Sequence, residues 1–386
     1  MSVAKEFADV VIVGGGIVGT SIAYHLAKVQ AGRIVVLERE SLLGTGSTGR
    51  CAGGFRHQFS SEINIRLSLE SVRMILSFSE ELDYPADVHQ NGYLFLLSTP
   101  EEAETFKKNA ALQNSCGVPS VFLHPDEISH LAPHVALDGV LGATYCAWDG
   151  IGDPNGMTQG YAAAARRLGV NIRTGVAARG LRISGNRIEA VEADTGTIPC
   201  GAVVNAAGPH AREIAALARV DLPVYPERRH VYTTAPFAQA PKDFLMVIDF
   251  TSTFYFHRES GGVLMGMGNP EEPKGFNLNV DPRFLDKVLE VALRRFPGLG
   301  EAHINRAWAG LYEMSPDAHP ILGRVKQIEN FYLASGFSGH GFQHAPITGK
   351  LIAEEMVLGK AQTLNIDPLR LERFETISIT REVNVV

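Results

Sequence analysis

Cysteine is scarce in this chain: four residues, Cys51, Cys116, Cys146 and Cys200, scattered along 386. No CxxC pair or metal-ligand ladder is present, and a disulfide framework would need paired spacings that are missing here. Long apolar runs are missing too, and nothing approaches the roughly 20 residues of a membrane span. There is no basic surplus, since 35 Lys and Arg stand against 42 Asp and Glu, a formal net charge of −7. A mildly acidic chain is poorly suited to hold phosphate backbones, so nucleic-acid binding is set aside. Internal repeats and low-complexity segments are absent. Before Asp9 there are too few apolar residues for a secretory leader, and the expectation is a soluble, reducing, cytoplasmic setting.

What is present is length and apolar content, 45% hydrophobic residues, enough for two packed domains. The chain opens as a β–α–β unit. Asp9 to Val13 reads as a buried strand, Gly14 to Gly19 as a turn, Ile17 to Gln30 as a helix and Ile34 to Leu37 as a second strand. A single amphipathic helix is predicted over Glu62 to Leu82, a strand over 92–97 and a polar helix over 101–116. Short strands follow from Asn171 to Val204, with turns at Ser184–Asn186 and Asp194–Gly196. Residues 223–270 read as mostly β. A helix is expected from Asp286 to Phe296, short strands at Trp308–Leu311 and Phe331–Ala334, and a last helix at about Pro346–Leu358, with Pro346 near its first turn.

Four motifs carry chemistry. Gly14, Gly16 and Gly19 have GxGxxG spacing: a tight turn, an open approach for a pyrophosphate, and close helix–strand packing. Ile17 opens the helix, whose free N–H groups face the anion. Glu38, with Arg39 after it, ends the second strand, where its carboxylate can accept from both ribose hydroxyls and would repel a 2′-phosphate. This motif alone leaves FAD and NAD both open. The loop GTGSTGR offers Ser47, Thr48 and Arg50 to a diphosphate or flavin. In VNAAGPHA a buried strand ends in small residues, Ala206 and Gly208 among them. SGFSGHGFQHAP places three glycines before a helix whose positive end can face an anion.

At this point the chain resembles the D-amino-acid oxidase type of FAD oxidoreductases, especially the branch of sarcosine oxidase and L-proline dehydrogenase β-subunits. The resemblance runs over nearly the whole chain, through VVIVGGGIVGTSIAYHLA, GTGSTGRCAGGFRHQF, GYLFLL, VVNAAGPHA, WAGLYEMSPDAHPILG and GFSGHGFQHAPITG. It implies an α/β fold, α+β overall: a Rossmann-like FAD domain and a substrate domain on a large mixed sheet. The expected division is 1–85, 140–222 and 310–386 for FAD, and 86–139 with 223–309 for substrate. It implies hydride transfer from a Cα–H or N-methyl C–H to flavin N5, giving an imine that water hydrolyses.

Matched residue by residue, the resemblance assigns Gly14, Gly16, Gly19 and Glu38 to the dinucleotide, Ser47, Thr48 and Arg50 to the loop along the flavin, and Val176 to the adenine end. Ala206 and Gly208 fall beside FAD, and Gly339, His340, Gly341, Phe342 and Gln343 by the isoalloxazine ring. Arg56 matches a substrate-carboxylate arginine, and Tyr255 and Tyr312 fall close to tyrosines of the substrate pocket. At His340 the backbone matters more than the ring, and His57 and His344 read as structural. A neutral amine substrate requires no strong protein base, and none is nominated.

Departures also count. Gly310 stands where monomeric sarcosine oxidases carry the cysteine that tethers FAD, so non-covalent FAD is expected. DPNGM, at 153–157, lacks the histidine that holds FMN in heterotetrameric relatives. Gln343 stands where many oxidases have lysine, and GGVLMGMG lacks the oxygen-activating lysine. The favoured substrates are secondary or N-methyl amino acids such as sarcosine or proline, with D-amino acids and opines behind. Partner subunits or a separate electron acceptor are possible companions. The competing readings are a flavin-binding assembly factor without turnover and an NAD dehydrogenase.

Overall fold

The computed structural model describes residues 7–375 and 380–385. Residues 1–6, on which the reading of the leader partly rests, lie outside the described residues. Among the described residues no helix is long and apolar enough to cross a membrane.

The first sheet is built around Ala8–Val13, apolar and buried on both faces apart from the half-buried Asp9, as a central parallel strand requires. It pairs in parallel with Ile34–Glu38 on one side and with the end of Gly196–Asn205 on the other. Asn171–Thr174 extends the sheet beyond Ile34–Glu38, and Phe331–Ser335 adds in parallel beside Gly196–Asn205. The turns expected at 184–186 and 194–196 join the antiparallel strands Ala178–Ser184, Arg187–Ala193 and Gly196–Asn205.

Helices Ile17–Lys28, Pro154–Arg167 and Gly341–Leu358 cover one face of this sheet. The first is buried almost all round, down to Thr20 and Ser21, because neighbours enclose it. Gly349 sets its crossing with the last helix: a Cβ there would stand 2.2 Å from Ser21 Oγ.

The second sheet has eight strands in the order Ile304–Met314, Tyr225–Thr234, Gly262–Met267, Phe254–Glu259, Met246–Asp249, Tyr93–Leu97, Gly142–Cys146, Val121–Leu123. It is mixed, since Met246–Asp249 and Tyr93–Leu97 run parallel while the other pairs are antiparallel. Gly142–Cys146 and the whole of Ile304–Met314 thus lie in this sheet rather than in the first. Gly54–Phe55, Val88–His89 and Gly150–Gly152 form a small third sheet.

Two helices differ from expectation. The helix over 62–82 is split into Glu62–Leu76 and Phe78–Leu82 at Ser77, whose hydroxyl turns back onto the Arg73 carbonyl at 3.1 Å. The last helix begins at Gly341, five residues before Pro346, so the proline sits inside it. The chain enters that helix through left-handed turns at Ser338 (φ 51°) and Gly339 (φ 96°), and these place its free N-terminus against the ligand cavity.

Candidate active site

A single cavity of about 730 Å3 runs from the Gly14 turn to the N-terminus of the last helix, toward the upper end of the range for ligand clefts. Its walls come from both large sheets, so the N-terminal glycine turn and the loop near 340 share one cleft.

At one end Gly14 has φ +117°, and a Cβ there would stand 2.2 Å from the Ala206 carbonyl oxygen. Gly19 packs as closely, 2.0 Å from the Gly14 carbonyl oxygen to its would-be Cβ. Gly16 caps the Ile17–Lys28 helix without any side-chain bond, so an anion can approach the first turn. Beyond the turn Glu38 accepts from Gly15 N at 2.7 Å and Glu40 N at 2.9 Å. Arg39, Val176 and Ala177 line the same end.

The middle is formed by residues 44–48 and 50–54, Gly208 and His210. The polar atoms of the GTGSTGR loop are largely committed to protein. Ser47 Oγ donates to Leu311 O at 2.6 Å, Thr48 Oγ1 accepts from Ile17 N at 3.2 Å, and Arg50 Nη1 donates to Ala309 O at 2.9 Å. This loop binds the two sheets to each other while lining the cavity. Gly310 faces it, with Arg50 Cβ 3.1 Å from a would-be Cβ. Phe276 and Leu278, both exposed, reach the mouth from the second sheet's side, and the Phe276 ring stacks on His210 at 4.5 Å.

At the far end lie Gly339, His340, Gly341, Phe342 and Gln343, together with Arg56, Tyr93, Arg229, Tyr255 and Tyr312. Burial pushes all three phenol pKa values up, and none of the three hydroxyls has a hydrogen-bond partner among the described residues. Gln343 is held in the floor: its Oε1 accepts from Arg56 N at 3.0 Å and its Nε2 donates to Ser68 Oγ at 3.1 Å. Burial lowers the pKa of His340 well below the ordinary value and that of His344 to about 3, so both rings are neutral.

The two arginines differ. Arg56 is buried, with its guanidinium donating to the Gln58 and Asn384 carbonyls, lying 3.1 Å from His340 Nε2 and stacked over Phe59 at 4.0 Å. Much of its fork is therefore committed to the protein. Arg229 donates through Nη1 to Glu227 Oε1 at 2.7 Å and lies over the Tyr312 ring at 4.7 Å, while its buried Nε has no partner. Reading of the sequence missed both Arg229 and Tyr93. Tyr93 was within reach, as it stands in GYLFLL. Arg229 gave no local signal, because only the pairing of Tyr225–Thr234 with Ile304–Met314 brings it to Tyr312.

His57, Cys146 and Asp149 also cluster, but Asp149 is satisfied by the His57 ring and backbone and by Gln58. Burial pushes the Cys146 thiol above its ordinary range, against the thiolate that a metal requires.

The glycine cradle, the helix N-terminus beside it and the cavity joining both sheets fit a long dinucleotide, and comparison with known proteins agrees. A solved L-proline dehydrogenase from P. horikoshii superposes with a TM-score of 0.90 at 35% identity, covering 96% of this chain and 99% of that one. FAD-dependent oxidoreductase domain-containing protein 1 of Bos taurus is 33% identical over 96% of this chain and 85% of its own length. Dimethylglycine dehydrogenase, mitochondrial, of Rattus norvegicus is 30% identical over 97% of this chain, which spans only 46% of that protein. The family model described as FAD dependent oxidoreductase matches residues 9–355, and the chain belongs to that family, the DAO family, with FAD as its cofactor.

Proposed function

We propose that this chain oxidises the C–N bond of a small amino acid, with secondary or N-methyl amino acids such as proline or sarcosine favoured. The observation that carries the reading is the far end of the cavity, where the Arg229 guanidinium, its Nε without a partner, lies over the Tyr312 ring, and where the hydroxyls of Tyr93, Tyr255 and Tyr312 have no hydrogen-bond partner among the described residues. Polar groups left open in this way along a cavity wall fit a ligand that supplies their partners.

The chemistry that bound FAD would supply is that of a hydride acceptor for the Cα–H or N-methyl C–H bond. The residues of the chain position the substrate. Arg229 grips the carboxylate, and Tyr255 and Tyr312, kept protonated by burial, donate to its oxygens. Tyr93, Met246 and Ile248 form the wall of the pocket and exclude water from the amine. A substrate that enters as a neutral amine needs no base, in keeping with the neutral rings of His340 and His344. The N-terminus of Gly341–Leu358 presents its positive end to the same region, where it favours negative charge. The imine then leaves and hydrolyses.

FAD is held without a covalent bond in this reading. Gly310 offers no nucleophile, and burial raises the pKa of the neighbouring Cys51 thiol to about 11. Close relatives in name, such as the L-proline and dimethylglycine dehydrogenases, support the substrate class. The test is anaerobic mixing of the FAD-loaded protein with sarcosine, N,N-dimethylglycine, L-proline, glycine and D-alanine. Bleaching of the flavin by a secondary or tertiary amine is expected. No bleaching with any amine would refute the enzymatic reading and favour a binding role. The same panel in air, with peroxide detection, separates oxygen from another acceptor.

A further inference from the structure

Glu382 is fully buried although it carries a charge, and it does not reach the cavity. Six donors converge on its carboxylate, among them the Asn384 N–H at 3.0 Å. Ser60 gives its N–H at 2.8 Å and its hydroxyl at 2.5 Å, and Ser61 gives its N–H at 3.1 Å and its hydroxyl at 2.7 Å. Asn64 Nδ2 completes the set at 3.2 Å. Two residues on, Asn384 accepts from the Arg56 guanidinium through its backbone carbonyl, donates to Gln58 O at 3.2 Å and accepts from Asn109 at 3.2 Å. Burial lowers the Arg56 pKa, and the Glu382 carboxylate is the foremost influence opposing it. The tail thus answers both needs of a buried guanidinium, a counter-charge and an acceptor.

We propose that residues 380–385 are a working part of the substrate site, with Glu382 a positioning residue. They hold Arg56 flat against Phe59 and His340, so that its charge stands behind the phenols and adds to the field of Arg229 at the substrate carboxylate. Glu382 touches neither cavity nor substrate and acts only through Arg56. The inference rests on the reading of this end of the cavity as carboxylate-binding.

The experiment uses the FAD-loaded protein and tetrahydrofuran-2-carboxylate, which keeps the ring and carboxylate of proline but has no amine. Binding is read from the perturbation of the flavin absorbance. Glu382→Gln is expected to raise the Kd about tenfold or more at unchanged FAD content, and Glu382→Asp, which keeps the charge, to recover part of the loss. A chain ending at Thr380 is expected to bind the probe weakly. Added peptide of sequence REVNVV should restore binding, and the same peptide with Gln in place of Glu382 should not. Wild-type affinity in Glu382→Gln, or loss of FAD and folding in every variant with no rescue by the peptide, would overturn the positioning role. No response of the wild-type protein to the probe would instead overturn the carboxylate reading, and this inference with it.

Discussion

Replacing Arg229 with lysine tests the site most directly. Arg229 spends Nη1 on Glu227 Oε1 at 2.7 Å and on the Arg228 carbonyl at 3.1 Å, and leaves its Nε–H without a partner. Lysine keeps the positive charge and can still pair with Glu227, which limits damage to the fold. It loses the planar fork that can present two N–H groups to a carboxylate. One charge-assisted hydrogen bond is worth about 1.5–3 kcal/mol, which corresponds to about a 10- to 150-fold loss of affinity. Because the carboxylate is gripped equally in the ground and transition states, the loss should fall on binding, with the rate of reduction at saturation nearly unchanged. Anaerobic stopped-flow reduction separates the two, as the saturation curve gives the Kd and its plateau gives the rate. Arg229→Leu should be worse in binding and also less stable, since Glu227 loses its partner. Unchanged Kd in Arg229→Lys, with a large loss in Arg56→Lys, would refute the assignment and make Arg56 the anchor.

Three further outcomes are expected. Gly14→Ala should give protein largely free of FAD with a lowered Tm, because the Cβ meets the Ala206 carbonyl oxygen at 2.2 Å and φ is +117°, a strain of about 1–3 kcal/mol; flavin content per chain and a thermal melt check it. Phe276→Ala should speed FAD release about 2- to 10-fold, followed as the rise in free-flavin fluorescence, since the stack on His210 at 4.5 Å closes the mouth and such a pair is worth about 0.5–1.5 kcal/mol. Glu313, on the cavity wall, has its carboxyl pushed by burial from 4.5 up to about 7. Its contribution to stability is therefore full below pH 4.5 and is lost as pH rises through about 7. Glu313→Gln should then be the more stable protein at pH 8, by up to about 3 kcal/mol, and gain nothing at pH 4.5; denaturant melts at both pH values decide it.

The nucleotide end was legible because its constraints are local. The turn at Gly14, the packing of Gly19 and the carboxylate of Glu38 all lie within one β–α–β unit, where spacing alone carries the geometry. The end that selects substrate was less legible, because it is made by pairing between distant strands. Arg229 and Tyr312 stand 83 positions apart and meet only through the register of Tyr225–Thr234 against Ile304–Met314. Arg56 was found by resemblance, but its commitment to Asn384 was not, because a tail of six residues without periodicity gives no sign of where it packs. The break at Ser77 and the early start of the last helix were hidden for a different reason. Both depend on single backbone conformations, at Ser77 and at Ser338–Gly339, that a hydrophobic stripe does not record.

The three phenols share a design that leaves polar hydroxyls on the pocket wall without a protein partner. Each stands against a glycine from another element: a Cβ on Gly54 would fall 1.6 Å from the Tyr93 hydroxyl, one on Gly266 2.3 Å from that of Tyr255, and one on Gly339 2.5 Å from the Tyr312 ring. The glycines let each ring sink into the wall and leave no polar side chain to occupy its hydroxyl. A ligand that brings carboxylate oxygens supplies the acceptors these hydroxyls lack, in addition to the attraction of Arg229. Alanine at Gly266 would push the Tyr255 ring out of its seat and into the cavity, where the ring would take up space meant for the ligand.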